Sequence, residues 1–360
     1  MKILAMDIGA GTQDILLYDS DLKIENCAKL VLPSPSLREA AAVRKVTERG
    51  RDLFVTGPTI GGGAFSKALK KHLSAGLSVV MTPSAAFSVR NNPADVEALG
   101  IRIREKPPPG FEGVVLRVDE LDLLSLRKLL ASVGESLDGI FAAAVAVQDH
   151  GSYPAGELNR KTRLRHMRKR LEGNPNPLSL SYLCGDVPRD FPRMTSACAR
   201  LDEQLCCGNL LVMDTAPAAI SGCLSDPRVG EAAGGKIMLI NAGNGHTMVA
   251  LLDGGRVTAL LEHHTRYLEA RTFAAYLARF CAGEASDADP YMESGHGLFY
   301  LDTPPGMDEL SVIAATGPNR DLMRETDLEV YYPAPGGDMM MTGPMGLVES
   351  LLFRLDEGGG

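Results

Sequence analysis

The first eighteen residues constrain the fold more than any other stretch of this chain. They read MKILAMDIGAGTQDILLY, an apolar run, a turn of small residues and a second apolar run. Two apolar runs joined by a glycine-rich turn are typical of a β-hairpin. Because almost no polar residue interrupts the first run, we expect this hairpin to lie inside the hydrophobic core.

The turn of this hairpin has the composition of an anion site. Gly9 and Gly11 let the backbone turn where a side chain would clash, so several N–H groups can converge on one phosphate. The Thr12 hydroxyl is a further donor, and the carboxylates of Asp7 and Asp14 suit a hydrated divalent cation. The alternative is a plain tight hairpin, because a single Gly-x-Gly occurs in many turns.

The same pattern returns in the second half of the chain. Residues 236–252 read KIMLINAGNGHTMVALL, with Asn241 ending an apolar run and Gly243, Gly245 and Thr247 before the next one. An internal repeat is a stronger signal than either copy. It predicts two related lobes that hold one nucleotide from both sides.

Polar residues follow another apolar run, residues 140–147. Gln148, Asp149 and His150 stand where ligands are held in α/β sheets, at the end of a buried strand. The alternative is that Gln148 and Asp149 only cap a turn. A glycine-rich loop at residues 57–63, between a strand and a helix, is equally typical of an anion site and of a tight connection.

Two later stretches end strands in a similar way. Asp214 follows the apolar run 210–213 and precedes a helix of small residues, where an aspartate is ordinarily an N-cap. Residues 339–347 run from a strand to a helix and carry Gly343 and Gly346. Both stretches therefore place polar or small residues at the end of a predicted strand.

In this order the motifs resemble those of the superfamily that contains actin, the chaperone ATPases and the sugar kinases. The resemblance implies an α/β fold with duplicated RNase H-like lobes around a nucleotide cleft, and ATP and Mg²⁺ as cofactors. It implies that Asp7 positions the metal for catalysis, that Asp214 orients or deprotonates an acceptor, and that Gln148, Asp149 and His150 contact the substrate. It also implies nucleotide contacts from Gly9, Gly11, Thr12, Asp14, Asn241, Gly243, Gly245, Thr247, Gly343 and Gly346.

Three shorter strings resemble one prokaryotic family within that superfamily: Val-Gln-Asp-His-Gly, Asn-x-Gly-Asn-Gly-His-Thr and Glu-His-His-Thr. The family is labelled as a pyruvate formate-lyase activating enzyme. That label implies a radical enzyme with a CxxxCxxC triplet, and the sequence contains no such triplet. We therefore expect an enzyme other than a radical enzyme of that kind.

Three units are predicted: an N-terminal lobe at 1–151, a connecting segment at 152–209 and a C-terminal lobe at 210–357. The connecting segment carries the basic run 160–170, which suits either the steering of an anion or a solvated helix face. Five of the seven cysteines fall within 184–223 without any CxxC pair. Buried thiols in a reducing compartment are favoured over a metal cluster.

Histidines form a further group, with His246 in the second turn, His263 and His264 adjacent, and His296 in a later loop. They suit a metal site or hydrogen-bonded structural positions. Adjacent side chains on a strand point to opposite faces, so His263 and His264 cannot easily bind one metal.

Charge and composition exclude several classes of protein. The net charge of -8 lacks the basic footprint that nucleic acids require, so no nucleic-acid partner is expected. No export signal and no apolar run near 18 residues is visible, which predicts no membrane span and a cytoplasmic location.

Three functions fit these observations. The first is an ATP- and magnesium-dependent phosphotransferase or ATPase acting on an unidentified small-molecule or protein acceptor. The second is a nucleotide-binding regulator or chaperone-like switch, and the third is an ATP-driven activator of a redox enzyme.

Overall fold

A computed structural model describes residues 1–153 and 159–358 of the chain. Among these residues, no helix is both long and apolar enough to cross a membrane. The strands are β1 Lys2–Ile8, β2 Thr12–Asp19, β3 Ala28–Pro33, β4 Leu53–Thr56, β5 Val79–Met81, β6 Arg102–Ile103, β7 Val114–Arg117, β8 Ala142–Val147, β9 Ser181–Leu183, β10 Asn209–Met213, β11 Lys236–Ala242, β12 His246–Asp253, β13 Arg256–His264, β14 Gly295–Tyr300 and β15 Val312–Thr316. The helices are α1 Pro35–Glu48, α2 Gly63–Ser74, α3 Pro83–Ala86, α4 Pro93–Glu97, α5 Leu123–Ser132, α6 Asn159–Gly173, α7 Pro192–Gln204, α8 Thr215–Cys223, α9 Pro227–Ala232, α10 Ala270–Cys281 and α11 Thr342–Gly358.

The first sheet has the strand order β3-β2-β1-β8-β10-β9. Strands β1, β2 and β3 form an antiparallel meander, while β8 pairs in parallel with both β1 and β10. Strand β8 is buried along its whole length, as its run of alanine and valine predicts for a central strand covered on both faces. Strand β1 of the opening hairpin and β8 are therefore the two central strands of this sheet.

The second sheet repeats this plan in the order β14-β13-β12-β11-β15. Strands β11, β12 and β13 form the meander, and β15 pairs in parallel with β11 as β8 does with β1. Two sheets with the same meander and the same parallel neighbour are duplicated RNase H-like lobes. The predicted fold class is confirmed.

A third sheet, in the order β6-β5-β4-β7, lies between β3 and β8 in the chain. All of its pairings are parallel, and helices such as α1 and α2 cover it. Strands and helices alternate in this region of the chain. Each of its strands returns through a crossover, and this connection gives parallel neighbours.

The predicted start of the second lobe at Leu210 is also wrong. Strand β10 pairs with β8 and so belongs to the first sheet. An apolar strand carries no signal for which sheet it joins, and β10 could be assigned only from its partners.

The predicted connecting segment is not a separate linker either, since β9 pairs with β10 and α7 packs on the first sheet. Its residues 154–158 lie outside the described ranges.

Helices α8 and α11 lie between the two main sheets and join them into one core. This core includes Ala144 of β8, Leu239 of β11 and Leu347 of α11. The two helices approach closely at Gly346, where a Cβ would collide with the carbonyl oxygen of Ala218. The first turn of α11 is thereby held next to the end of β1.

Candidate functional site

A cavity of about 950 Å³ opens between the two main sheets and the third sheet. The glycine turns of both lobes line it, as the internal repeat predicts. Asp214, Thr247 and Gly346 lie outside its lining. The predicted site residues that line it are Asp7, Gly9, Gly11, Thr12, Asp14, Gln148, Asp149, His150, Asn241, Gly243, Gly245 and Gly343.

The first turn is a tight hairpin end in which the amide of Gly9 donates to the carbonyl of Thr12 at 2.9 Å. Asp7 and Asp14 are direct partners across β1 and β2, so both carboxylates belong to one end of the hairpin. The Thr12 hydroxyl donates to Oδ2 of Asp14 at 3.3 Å. This strand register explains why residues seven apart in the sequence share one site.

The two carboxylates are held in an environment that disfavours their charge. Burial, followed by the nearby carboxylates of Asp14 and Asp214, raises the pKa of Asp7 well above its ordinary value, while Arg193 opposes the rise. Burial raises the pKa of Asp14 to about 7, against the hydrogen bond from Thr12.

Oδ1 of Asp7 and Oδ1 of Asp14 are buried and accept no hydrogen bond from the described residues. Buried carboxylate oxygens ordinarily have a partner, because leaving one without a donor or cation is costly. A divalent cation would satisfy both oxygens and favour their charged forms. The residues present therefore fit Mg²⁺.

The second turn has the same backbone with different side chains. The amide of Gly243 donates to the carbonyl of His246 at 3.0 Å, so His246 takes the place that Thr12 has in the first turn. Thr247 is buried and its hydroxyl meets that of Thr265 at 3.0 Å. The prediction that Thr247 contacts a nucleotide is corrected by this position.

The two turns face each other across the cavity. A Cβ on Gly11 would lie 2.8 Å from Nδ2 of Asn244, so the first turn directly approaches the Asn244 side chain of the second turn. The Asn319 side chain donates to the carbonyl of Gly243 at 2.9 Å and fixes the second turn from behind. At the first turn, a Cβ on Gly343 would collide with Oδ2 of Asp7.

Helix α11 therefore contributes to the site through Gly343, which packs against Asp7. Gly346 lies one turn further along the helix, in the contact with α8. Its predicted nucleotide contact is corrected, because its face of the helix is filled by Ala218.

The third sheet supplies a basic wall to the cavity. Gly61 to Gly63 line it together with Lys67 and Lys70 of α2 and with Arg90. The sequence left the glycine loop open between an anion site and a tight connection. It did not indicate that any of the three basic side chains lines a cavity. Lysines on the polar face of an amphipathic helix carry no signal that separates a binding surface from a solvated one.

Three polar residues follow β8. Asp149 has a structural role, whereas Gln148 and His150 face the second lobe. Asp149 accepts hydrogen bonds from the amides of Gly151, Arg193 and Met194, at 2.9, 2.7 and 3.2 Å, and so caps the start of α7. Gln148 instead reaches across the cavity, with Nε2 2.6 Å from Nδ1 of His246.

Asp214 is placed differently from the prediction. It caps α8 by accepting from the amide of Ala216 at 3.2 Å, and both of its oxygens accept from Arg163, at 2.8 and 2.6 Å. Asp214 is buried and its carboxylate is committed to these donors. Asp214 is therefore not positioned as a free general base.

Arg163, in the basic run, also donates to Oε1 of Glu262 in the second lobe. The guanidinium, Asp214 and Glu262 are all buried, so one cation lies between two anions. Burial acts to raise the pKa of Glu262, but Arg163 holds it below its ordinary value. Arg163 therefore neither steers an anion from the surface nor lies on a solvated helix face, the two roles predicted for the basic run. The pattern of charges in the sequence could not distinguish Arg163 from the exposed basic residues of the same run.

Histidines from both lobes meet beside this ion cluster. Potential ligand atoms of His150, His246 and His296 all lie within 4.8 Å of one another. His263 points away, with Nε2 3.1 Å from the carbonyl of Tyr291, as the alternation along a strand predicts. Burial lowers the pKa of His246 to about 4 and that of His150 well below its ordinary value.

Residues 60–322 match the family described as "Putative pyruvate format-lyase activating enzyme (DUF1786)". The match spans more than half of the chain. The protein belongs to this family. No curated protein matches it.

Solved structures of similar fold include a PilM–PilN type IV pilus biogenesis complex, with a TM-score of 0.38, 12% identity and 98% of each chain covered. A ROK family glucokinase from Streptomyces griseus in complex with glucose and AMPPNP gives a TM-score of 0.34 and 11% identity, covering 98% of this chain and 99% of that one. The ethanolamine utilization protein EutJ from Carboxydothermus hydrogenoformans gives 0.31 and 13%, covering 98% of this chain and 89% of that one. These distant likenesses carry no argument about activity.

The cysteines of this family member do not all follow the prediction of buried thiols. Cys184 and Cys198 form a disulfide, and Cys206 is exposed. Cys27, Cys223 and Cys281 are free and buried as expected. The disulfide joins two segments that pack together beside the first sheet, a proximity that spacing alone could not indicate.

Proposed function

We propose that this protein binds ATP with magnesium in the cavity between its lobes and is a phosphotransferase or ATPase. One observation carries the proposal: two hairpin turns of the same backbone form face each other, and one of them carries two buried carboxylate oxygens that accept no hydrogen bond from residues 1–153 or 159–358. Turns of this kind offer backbone amides to phosphates, and carboxylates offer oxygens to the accompanying cation.

Each side of the cavity has a proposed part. Asp7 and Asp14 would hold Mg²⁺, which would neutralise charge on the phosphates. Gly9, Gly11 and Thr12 would offer hydrogen-bond donors from the first lobe. Asn241 and the turn that contains Gly243 and Gly245 would do so from the second lobe, which has no carboxylate at this point to repel a phosphate.

The acceptor of a transferred phosphoryl group would be an anionic small molecule. Lys67 and Lys70 are exposed toward the cavity from α2, and Arg90 lines the same wall. Cationic side chains at a cavity wall raise the local concentration of anions and orient them. The wall belongs to the third sheet, so the acceptor would enter opposite the two turns.

Calorimetry of purified protein with ATP, in the presence and absence of Mg²⁺, tests binding. We expect stoichiometric binding that strengthens with Mg²⁺, and we expect Asp7→Ala to lose this strengthening. Folded protein that binds no nucleotide would end the proposal. Incubation with γ-labelled ATP and a pool of small metabolites then identifies the acceptor, and we expect label in an anionic product.

A second function is favoured by one observation. Asp214 is committed to Arg163 and to its helix, so it is not available to deprotonate an acceptor. An ATP-driven switch needs no acceptor base, because hydrolysis alone changes the relation of the two lobes. Release of all label as inorganic phosphate, with every acceptor pool, would favour the switch over the phosphotransferase.

A further inference from the structure

Four histidines that are far apart in the sequence converge at one side of the cavity. His150 follows β8 of the first lobe, whereas His246, His264 and His296 belong to strands of the second lobe. The ring of His296 lies 4.3 Å from that of His246 and 4.4 Å from that of His264, between centroids. The His150 ring lies 5.4 Å from each of His246 and His296.

A carboxylate lies behind this group. Glu262 precedes His263 on β13, is fully buried, and its charge acts on both His150 and His246. Oε1 accepts from Arg163, while Oε2 is buried and accepts no hydrogen bond from the described residues. Arg163 carries one positive charge against the negative charges of Asp214 and Glu262, so the ion cluster beside the histidines is negative overall.

Gln148 can select the nitrogen that His246 offers. The 2.6 Å contact joins the Gln148 amide to Nδ1 of His246, and an amide can make such a contact either as a donor through its nitrogen or as an acceptor through its oxygen. If the amide oxygen accepts from Nδ1–H, Nε2 is left with its lone pair. A histidine that ligates a metal ordinarily donates its other N–H to such an acceptor.

We propose that His150, His246 and His296 bind a divalent transition-metal ion of the Zn²⁺ or Fe²⁺ class. Three imidazoles are a frequent ligand set for such ions, and they suit hard Mg²⁺ poorly. Tetrahedral sites with metal–nitrogen bonds of about 2.0–2.1 Å bring ligand atoms to about 3.4 Å from one another. The present limit of 4.8 Å therefore requires each ring to move by about 1 Å or less.

The site would have two consequences for the protein. His150 and His246 line the cavity, so a fourth coordination position would face a bound substrate or water. The ligands also come from both lobes, so the ion would fix one lobe against the other. Neither consequence depends on nucleotide binding, and the site is independent of the function proposed above.

Titration of untagged, chelator-treated protein with Co²⁺ tests the site, with visible absorption as the readout and no nucleotide present. We expect one equivalent to bind, with the ligand-field bands of four-coordinate cobalt and a rise in the melting temperature. Zn²⁺ should displace it. Folded wild-type protein that binds no Co²⁺ would overturn the proposal.

Variants locate the ion. His246→Gln and His296→Gln should each weaken Co²⁺ binding by at least ~10-fold, a loss seen even for supporting residues of metal sites. The matched control is His166→Gln, since His166 lies on α6 with Nε2 3.2 Å from Asp190. An equal loss in the control would contradict the assignment.

If His296→Gln does not fold, X-ray absorption of wild-type protein loaded with Co²⁺ decides the question. Scattering from three imidazoles supports the site, and a shell of oxygens alone overturns it.

Discussion

The two hairpin turns that face the cavity share a backbone and differ in nearly every functional side chain. In each, a glycine amide donates to the carbonyl three residues later, at 2.9 Å in the first lobe and 3.0 Å in the second. The first turn carries Asp7 and Asp14. At the equivalent positions in the register, the second carries Asn241 and Met248.

In the proposed function, this difference gives the lobes separate tasks. A phosphate chain requires a cation on one side and neutral donors on the other, because carboxylates on both sides would repel it. The first lobe would therefore hold the cation, and the second lobe would offer the phosphates donors without a carboxylate beside them. At the position of Thr12, the second turn carries His246, which belongs to the group of histidines described above.

The largest expected effect tests what holds the two turns in place. Arg163→Met removes the cation between Asp214 and Glu262 and leaves two buried carboxylates without a partner charge. We expect a loss of about 3–5 kcal/mol in the free energy of unfolding, measured by denaturant titration.

The matched control is Arg168→Met on the same helix, where the ion pair with Glu172 at 2.9 Å is exposed. That change should cost less than about 1 kcal/mol. Similar costs for both variants would show that the buried ion cluster does not join the lobes.

Opposite charge changes in the two turns should have different consequences. Asp7→Asn removes a proposed ligand of Mg²⁺, and we expect ATP turnover to fall by ~100-fold with loss of the magnesium dependence of binding. Asn241→Asp adds a charge beside the phosphates, and we expect nucleotide affinity to fall by ~10-fold with or without Mg²⁺. Identical behaviour of the two variants would remove the division of tasks.

The raised pKa of Asp14, about 7, makes the first turn sensitive to pH. A proton competes with the cation below this pKa, so Mg²⁺ affinity should fall by up to ~10-fold per pH unit as the pH drops below 7. Without the cation, the stability that this carboxyl contributes is fully present below about pH 4 and is lost as the pH rises through 7. Asp14→Asn should flatten both profiles, which Mg²⁺-dependent melting temperatures between pH 5 and 8 would measure. Unchanged profiles would refute the assignment.

The smallest expected effect separates the two threonines that the sequence pattern treats as equivalent. Thr12→Val removes one hydroxyl from the cavity and should weaken Mg²⁺–ATP binding by ~5-fold, about one hydrogen bond. Thr247→Val should leave that affinity unchanged and lower stability by about 1 kcal/mol, because its hydroxyl is buried against Thr265. Calorimetry and thermal unfolding of both variants check this, and weaker nucleotide binding by Thr247→Val would restore its predicted role.

Much of the site could be predicted because its signals are local. The turns are encoded by glycines between apolar runs, and the strand pattern places Asp7 and Asn241 at strand ends. The errors arose where a residue's role depends on a distant partner. The Thr247 hydroxyl meets that of Thr265, and Asp214 meets Arg163 from another segment. Lys67 and Lys70 resemble any solvated helix face until the third sheet is placed.

The sequence by itself determined the two hairpins, their turns and the duplication of the fold, since apolar alternation and glycine act within a few residues. Only the tertiary structure decided that β10 joins the first sheet, that Arg163 lies between two carboxylates and that histidines from both lobes meet. Those contacts are long-range: a charge or an imidazole carries the same local signal whether it is solvated or buried. Its partner is fixed by the packing of the whole chain.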